Sequence, residues 1–89
     1  MLAQEKVPGG KLICIEAEIR DGRIEKIKIT GDFFLHPEDT IEKIEHSLLG
    51  KGLDDNLAGS IARILSENNA QLIGATADDL ERLVRKAML

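Results

Sequence analysis

The chain has 89 residues, 43% hydrophobic and 31% charged, which fits one globular domain and leaves little room for an enclosed catalytic pocket beside a core. A net charge of −4, with Lys and Arg interleaved among Glu and Asp and only two aromatic residues, disfavours nucleic-acid binding. No apolar run approaches the roughly 20 residues of a membrane span. Met1–Lys6 lacks the apolar core of a signal peptide, and lone Cys14 excludes an internal disulfide and a cysteine zinc cluster. The expected setting is cytoplasmic.

In chain order, residues 1–10 read as an extended lead-in, punctuated by Val7-Pro8-Gly9-Gly10, where Pro fixes one backbone angle and the glycines permit positive φ. Such a segment suits a turn, a linker or a lid. Lys11 to Arg20 is the first predicted strand, with Ile13, Ile15, Ala17 and Ile19 alternating against Cys14, Glu16, Glu18 and Arg20. Asp21-Gly22 supplies a tight hairpin turn. The return strand, Arg23 to Thr30, carries Ile27 and Ile29 in phase and Ile24 out of phase, so that either Ile24 faces the other way or a bulge resets the register. Phe33-Phe34-Leu35 is a short third strand or a connection, and the sheet region is expected to span 11–35.

Residues 37–89 form the predicted helical part. The first helix is expected from Pro37 to Leu49, with Ile41, Ile44 and Leu48 inward and Gly50 past its end. The second is expected to be capped by Asp54 or Asp55 and to reach Glu67, burying Leu57, Ile61, Ile64 and Leu65, with Ala58 and Ala62 allowing close approach. Ala70–Gly74 reads as a connector. Thr76-Ala77-Asp78-Asp79 resembles a capping box for the third helix, which turns Leu80, Leu83, Val84 and Ala87 inward while Arg82, Arg85 and Lys86 oppose its C-terminal dipole. Strands followed by helices give an α+β fold: an antiparallel hairpin or small three-stranded sheet packed on about three helices.

A search for chemistry yields little. Cys14 lies mid-strand and reads as a small packed residue. His36 and His46 are a poor pair for one metal, because ten residues on a helix leaves them about 80° apart. Glu16 and Glu18, and Glu42 and Glu45, read as solvated faces. Gly9-Gly10-Lys11 lacks the longer phosphate-loop pattern and precedes a strand, and no serine has a nucleophile-elbow context. The most informative stretch is Gly31-Asp32-Phe33-Phe34. It holds both aromatic residues of the chain, and neighbours on a strand point to opposite faces, so one Phe can enter the core while the other meets a partner. Asp32 is expected either to bond nearby backbone amides or to face that partner. These residues describe an interaction domain without catalytic residues of its own.

Val7-Pro8-Gly9-Gly10-Lys11-Leu12, Asp21-Gly22-Arg23-Ile24 and Ile29-Thr30-Gly31-Asp32-Phe33-Phe34 occur in the order and spacing of the C-terminal accessory domain of lipoate–protein ligases, which the chain resembles over nearly its whole length. The resemblance implies a single accessory domain over 1–89, with a fold similar to the sulfur-acceptor and iron–sulfur scaffold proteins. In that family a catalytic domain activates lipoate with ATP and Mg²⁺ to lipoyl-adenylate, then transfers the lipoyl group to a lysine of lipoyl-domain proteins. With Met1 at the head of the chain and the catalytic domain absent, the resemblance implies the small subunit of a split ligase. It would form a heterodimer with the catalytic subunit and bind none of ATP, Mg²⁺ or lipoate alone. Gly9, Gly10, Lys11, Gly31, Asp32, Phe33 and Phe34 are the expected partner-binding residues. The alternatives are a sulfur-transfer or iron–sulfur scaffold, for which Cys14 is solitary and misplaced, and a generic interaction module.

Overall fold

A computed structural model describes residues 1–7, 9 and 11–89. Among these residues, five strands and three helices run in the order β1 (Leu2–Lys6), β2 (Leu12–Arg20), β3 (Arg23–Gly31), β4 (Phe34–His36), α1 (Thr40–Leu48), α2 (Leu57–Glu67), β5 (Gln71–Ile73) and α3 (Ala77–Met88). Strands β1, β2 and β3 form an antiparallel sheet in that order, and β4 and β5 form a separate antiparallel pair. The fold class is the expected α+β. Alternation along β2 buries Ile13, Ile15 and Ala17 on one face. That face is covered by α3 lying on β1 and β2 and by α1 lying on β3, with α2 packed against both helices.

The β2–β3 hairpin turns on Asp21 and Gly22, at φ 54° and 76°, the two left-handed residues of a type I′ turn. The phase break at Ile24 is a bulge. Register runs Glu18↔Lys26 and then Ile19↔Ile24, so Glu25 is the extra residue and Ile24 returns to the core face. In α3 the capping box forms in full: Thr76 Oγ1 accepts from the Asp79 N–H at 3.1 Å and Asp79 Oδ2 from the Thr76 N–H at 3.0 Å.

Several expectations are corrected. The sheet does not begin at residue 11, because the extended lead-in itself carries a strand, Leu2–Lys6, paired with Leu12–Glu16. The far end of the lead-in is pinned too, since Val7 is buried and its N–H bonds the Lys11 carbonyl at 2.8 Å. The connector after α2 contains β5, so the helical part includes a strand. Helix α1 starts at Thr40 instead of Pro37, after a turn in which the Thr40 N–H bonds the Pro37 carbonyl at 3.1 Å. Asn56, and neither aspartate, caps α2 by accepting from the Gly59 N–H at 3.0 Å; Asp55 instead accepts from the Gly52 N–H at 2.7 Å. Ala62 faces solvent.

Candidate partner-docking surface

The segment between β3 and β4 folds around one glycine. At Gly31 an added Cβ collides with the Leu12 carbonyl oxygen and stands 2.9 Å from the Phe33 ring. Absence of a side chain is what lets that ring lie back over the backbone. Phe33 is half-buried and packs against the core, whereas Phe34, the first residue of β4, is 68% exposed. The two rings therefore differ in setting, Phe33 against the core and Phe34 toward solvent.

Pairing of β4 with β5 decides what surrounds Phe34. The register is Phe34↔Ile73, Leu35↔Leu72 and His36↔Gln71. Leu35 is buried, and the alternate residues form an outward ladder in which Phe34 lies directly across from Ile73, itself 54% exposed. Lys11 reaches the same place from the start of β2. Its stem passes over Gly74, where a Cβ would stand 3.1 Å from Lys11 Cγ, and its ammonium lies 6.0 Å from the centroid of the Phe34 ring. Gly74 holds φ +95°, which suits a residue without a side chain at the exit of β5.

The structure thus brings Lys11, Gly31, Phe33 and Phe34 together. Gly9 is exposed at φ +99° in the turn that closes onto β2, and Gly10 lies outside the described residues. Asp32 is exposed, and its own N–H donates to the Leu12 carbonyl at 2.9 Å. Sequence reasoning missed Ile73 and Gly74, because a three-residue strand carries too short a pattern to be recognised.

Elsewhere the polar residues have structural duties. Glu45 is not part of a solvated face: it is half-buried and accepts from the Ile29 N–H of β3 at 2.7 Å. Glu81 of α3 accepts from the Ala58 N–H at the start of α2, at 2.7 Å. Arg85 donates to the carbonyls of Leu53 and Asp55 and so fixes the loop before α2. Glu5 of β1 accepts from Arg82 at 2.6 Å and from Lys86 at 3.3 Å, and Arg82 also reaches Asp79 at 3.1 Å. Hydrogen bonds from Arg82 and Lys86 hold the Glu5 carboxyl below its ordinary range. For Asp79, burial pushes upward, but the bonds from Arg82 and Thr76 outweigh it and the net direction is also down.

Cys14 is half-buried on the side of β2 away from the helices, with Gln4 Nε2 at 3.5 Å from its sulfur. Among the described residues no group of three or more His, Cys, Asp and Glu is placed to hold a metal ion, and no helix is long and apolar enough to cross a membrane.

The structure is a small α+β domain that displays an exposed apolar ladder of Phe34 and Ile73. Comparison with known proteins gives that class its family. Residues 2–84 match the family described as the bacterial lipoate protein ligase C-terminus, and the chain belongs to it. It is 40% identical over 43 residues to lipoate-protein ligase A subunit 2 of Thermoplasma acidophilum, a match covering 48% of this chain and 46% of that protein. It also superimposes over its full length on 93% of a chain from a solved archaeal lipoylation system of Thermoplasma acidophilum, a bi-partite lipoate protein ligase and its E2 lipoyl domain. That likeness has a TM-score of 0.79 at 25% identity.

Proposed function

We propose that this chain is the accessory subunit of a bipartite lipoate–protein ligase. It would act with a separate catalytic subunit in the ATP-dependent activation of lipoate, before transfer to a lysine of lipoyl-domain proteins. The observation that carries this reading is the family match across residues 2–84 of a fold that superimposes at full length on a chain of the archaeal ligase system. The exposed Phe34–Ile73 ladder is consistent with it, because exposed apolar side chains side by side suit a protein contact.

In this reading the chemistry belongs to the partner. The lipoate carboxylate attacks the α-phosphorus of ATP and pyrophosphate leaves; the lysine amine then attacks the adenylate carbonyl and AMP leaves. In the same reading the catalytic subunit holds Mg²⁺, ATP and lipoate. The task of this chain is to dock through Gly9, Gly10, Lys11, Gly31, Asp32 and Phe34, with Phe33 anchoring the segment, and to complete or close the adenylation site. A cytoplasmic setting belongs to the same reading.

The test is lipoyl-adenylate formation by the catalytic subunit with ATP, Mg²⁺ and lipoate, in the presence and absence of this chain. Adenylate that forms only with both proteins is the expected result. Equal activity without this chain refutes the accessory role.

A further inference from the structure

Strand β3 forms one side of the main sheet, and its outer edge is covered at two points by unlike devices. Near its start, Ile24 exchanges bonds of 2.8 Å with the loop after α1. Its N–H donates to the Lys51 carbonyl, and its carbonyl accepts from the Gly50 N–H. Arg23 and Gly52 continue that contact as an antiparallel bridge, and the Arg23 guanidinium donates to the Gly50 carbonyl at 2.9 Å. Near the end of β3, the Ile29 N–H donates to Glu45 Oε2 of α1 at 2.7 Å. A helix carboxylate thus stands where a neighbouring strand would present a carbonyl.

Between the two covers the edge is bare. Antiparallel pairing alternates the direction of backbone groups. Because the Ile29 N–H turns away from β2, Ile27, two residues earlier in unbroken register, turns its N–H and C=O to the same outer side. Among the described residues neither group has a partner there. β3 carries Ile24, Ile27 and Ile29, a residue type suited to strands. An uncovered edge of that composition is a template for pairing with another chain, and covering it with a helix, a loop or charge prevents this.

The pairing to be prevented is with a second copy. Two β3 strands related by a two-fold axis at Ile27 would run antiparallel over residues 25–29, clear of the loop that covers Ile24. The Ile29 N–H is a donor that this pairing uses, and Glu45 already holds it. We propose that Glu45 is an edge guard, whose carboxylate occupies the Ile29 N–H and keeps copies of this chain from joining through β3. Two lysines assist it. In the paired arrangement Lys26 of one copy stands opposite Lys28 of the other, and like charges directly opposite repel. Glu18 and Glu16 on β2 lie across from these lysines, with Lys26 3.7 Å from Glu18. They soften that repulsion, and salt screens the rest, which leaves the Glu45 bond as the decisive barrier.

The experiment uses the full chain, ¹⁵N-labelled, as wild type, Glu45→Ala and Glu45→Gln. Sedimentation up to about 1 mM protein registers even a millimolar self-association, and amide hydrogen exchange at low and high concentration reads the site. Wild type and Glu45→Gln, which keeps an oxygen to accept the bond, should show Ile27 exchange independent of concentration. Glu45→Ala should dimerise, more tightly at high salt, with Ile27 exchange slowing severalfold as concentration rises. A Glu45→Ala variant that stays monomeric while its Ile29 amide exchanges faster has lost the bond without consequence, and overturns the proposal. A dimer with unchanged Ile27 exchange joins through another surface and also overturns it, as does a Glu45→Gln variant that dimerises like Glu45→Ala. If circular dichroism shows Glu45→Ala unfolded, Glu45→Ser takes its place. Failure of both to fold makes the carboxylate a requirement of folding and overturns its role as a guard.

Discussion

Phe33 and Phe34 are chemically identical neighbours with opposite surroundings, so truncating each in turn separates folding from docking. Complete burial of a Phe makes its truncation to Ala cost about 3 to 5 kcal/mol. Phe33 is only half-buried, which scales the expected loss for Phe33→Ala to about 2 kcal/mol. In a domain this small that lowers Tm by roughly 8 to 16 °C. Phe34 keeps 68% of its surface exposed. On its exposed side it faces Ile73 across the strand pair, with the Lys11 ammonium 6.0 Å from its ring. Together these are worth about 1 kcal/mol, so Phe34→Ala should shift Tm by roughly 4 to 8 °C. In the complex the order inverts. An aromatic anchor that becomes fully covered costs about 2 kcal/mol or more on truncation, near a thirtyfold rise in Kd for the catalytic subunit. Urea unfolding followed by circular dichroism and calorimetric titration of the folded proteins give both numbers. Similar stability losses for the two variants, with binding by folded Phe34→Ala unchanged, would refute the division of labour.

Gly31→Ala should destabilise by about 1 to 3 kcal/mol, since its methyl must displace the Phe33 ring and meets the Leu12 carbonyl; a neutral result in urea unfolding means that the ring is free to move. Thr40 is wholly buried, and its hydroxyl has no partner among the described residues, so Thr40→Val should raise stability by about 1 kcal/mol, and a loss of that size would show that the hydroxyl is satisfied by bound water. Glu5 has a folded pKa lowered by Arg82 and Lys86, so its contribution is present above its ordinary value of 4.5 and disappears as pH falls through the lower folded value. Wild type should therefore exceed Glu5→Gln in stability at neutral pH and converge with it in acid, and a difference independent of pH would contradict the ion-pair account.

What the sequence made legible were the features whose cause is local. The Asp21-Gly22 turn, the alternation of β2, the Thr76 capping box and the division of the two Phe residues each depend on a few consecutive residues and a fixed period. Features that depend on a distant partner were not legible. Leu2-Ala3-Gln4-Glu5-Lys6 has too few apolar residues to show a strand pattern; it is a strand because β2 offers a ladder on that side and α3 offers Arg82 and Lys86 to Glu5. β5 exists through three rungs with β4, and it supplies Ile73, half of the exposed ladder. Glu45 falls on a surface by helical spacing, yet the approach of β3 recruits it to the Ile29 N–H. At the start of α1, Pro37 is suited to a first helical turn, but a tight turn bonds Thr40 back to it and delays the helix by three residues.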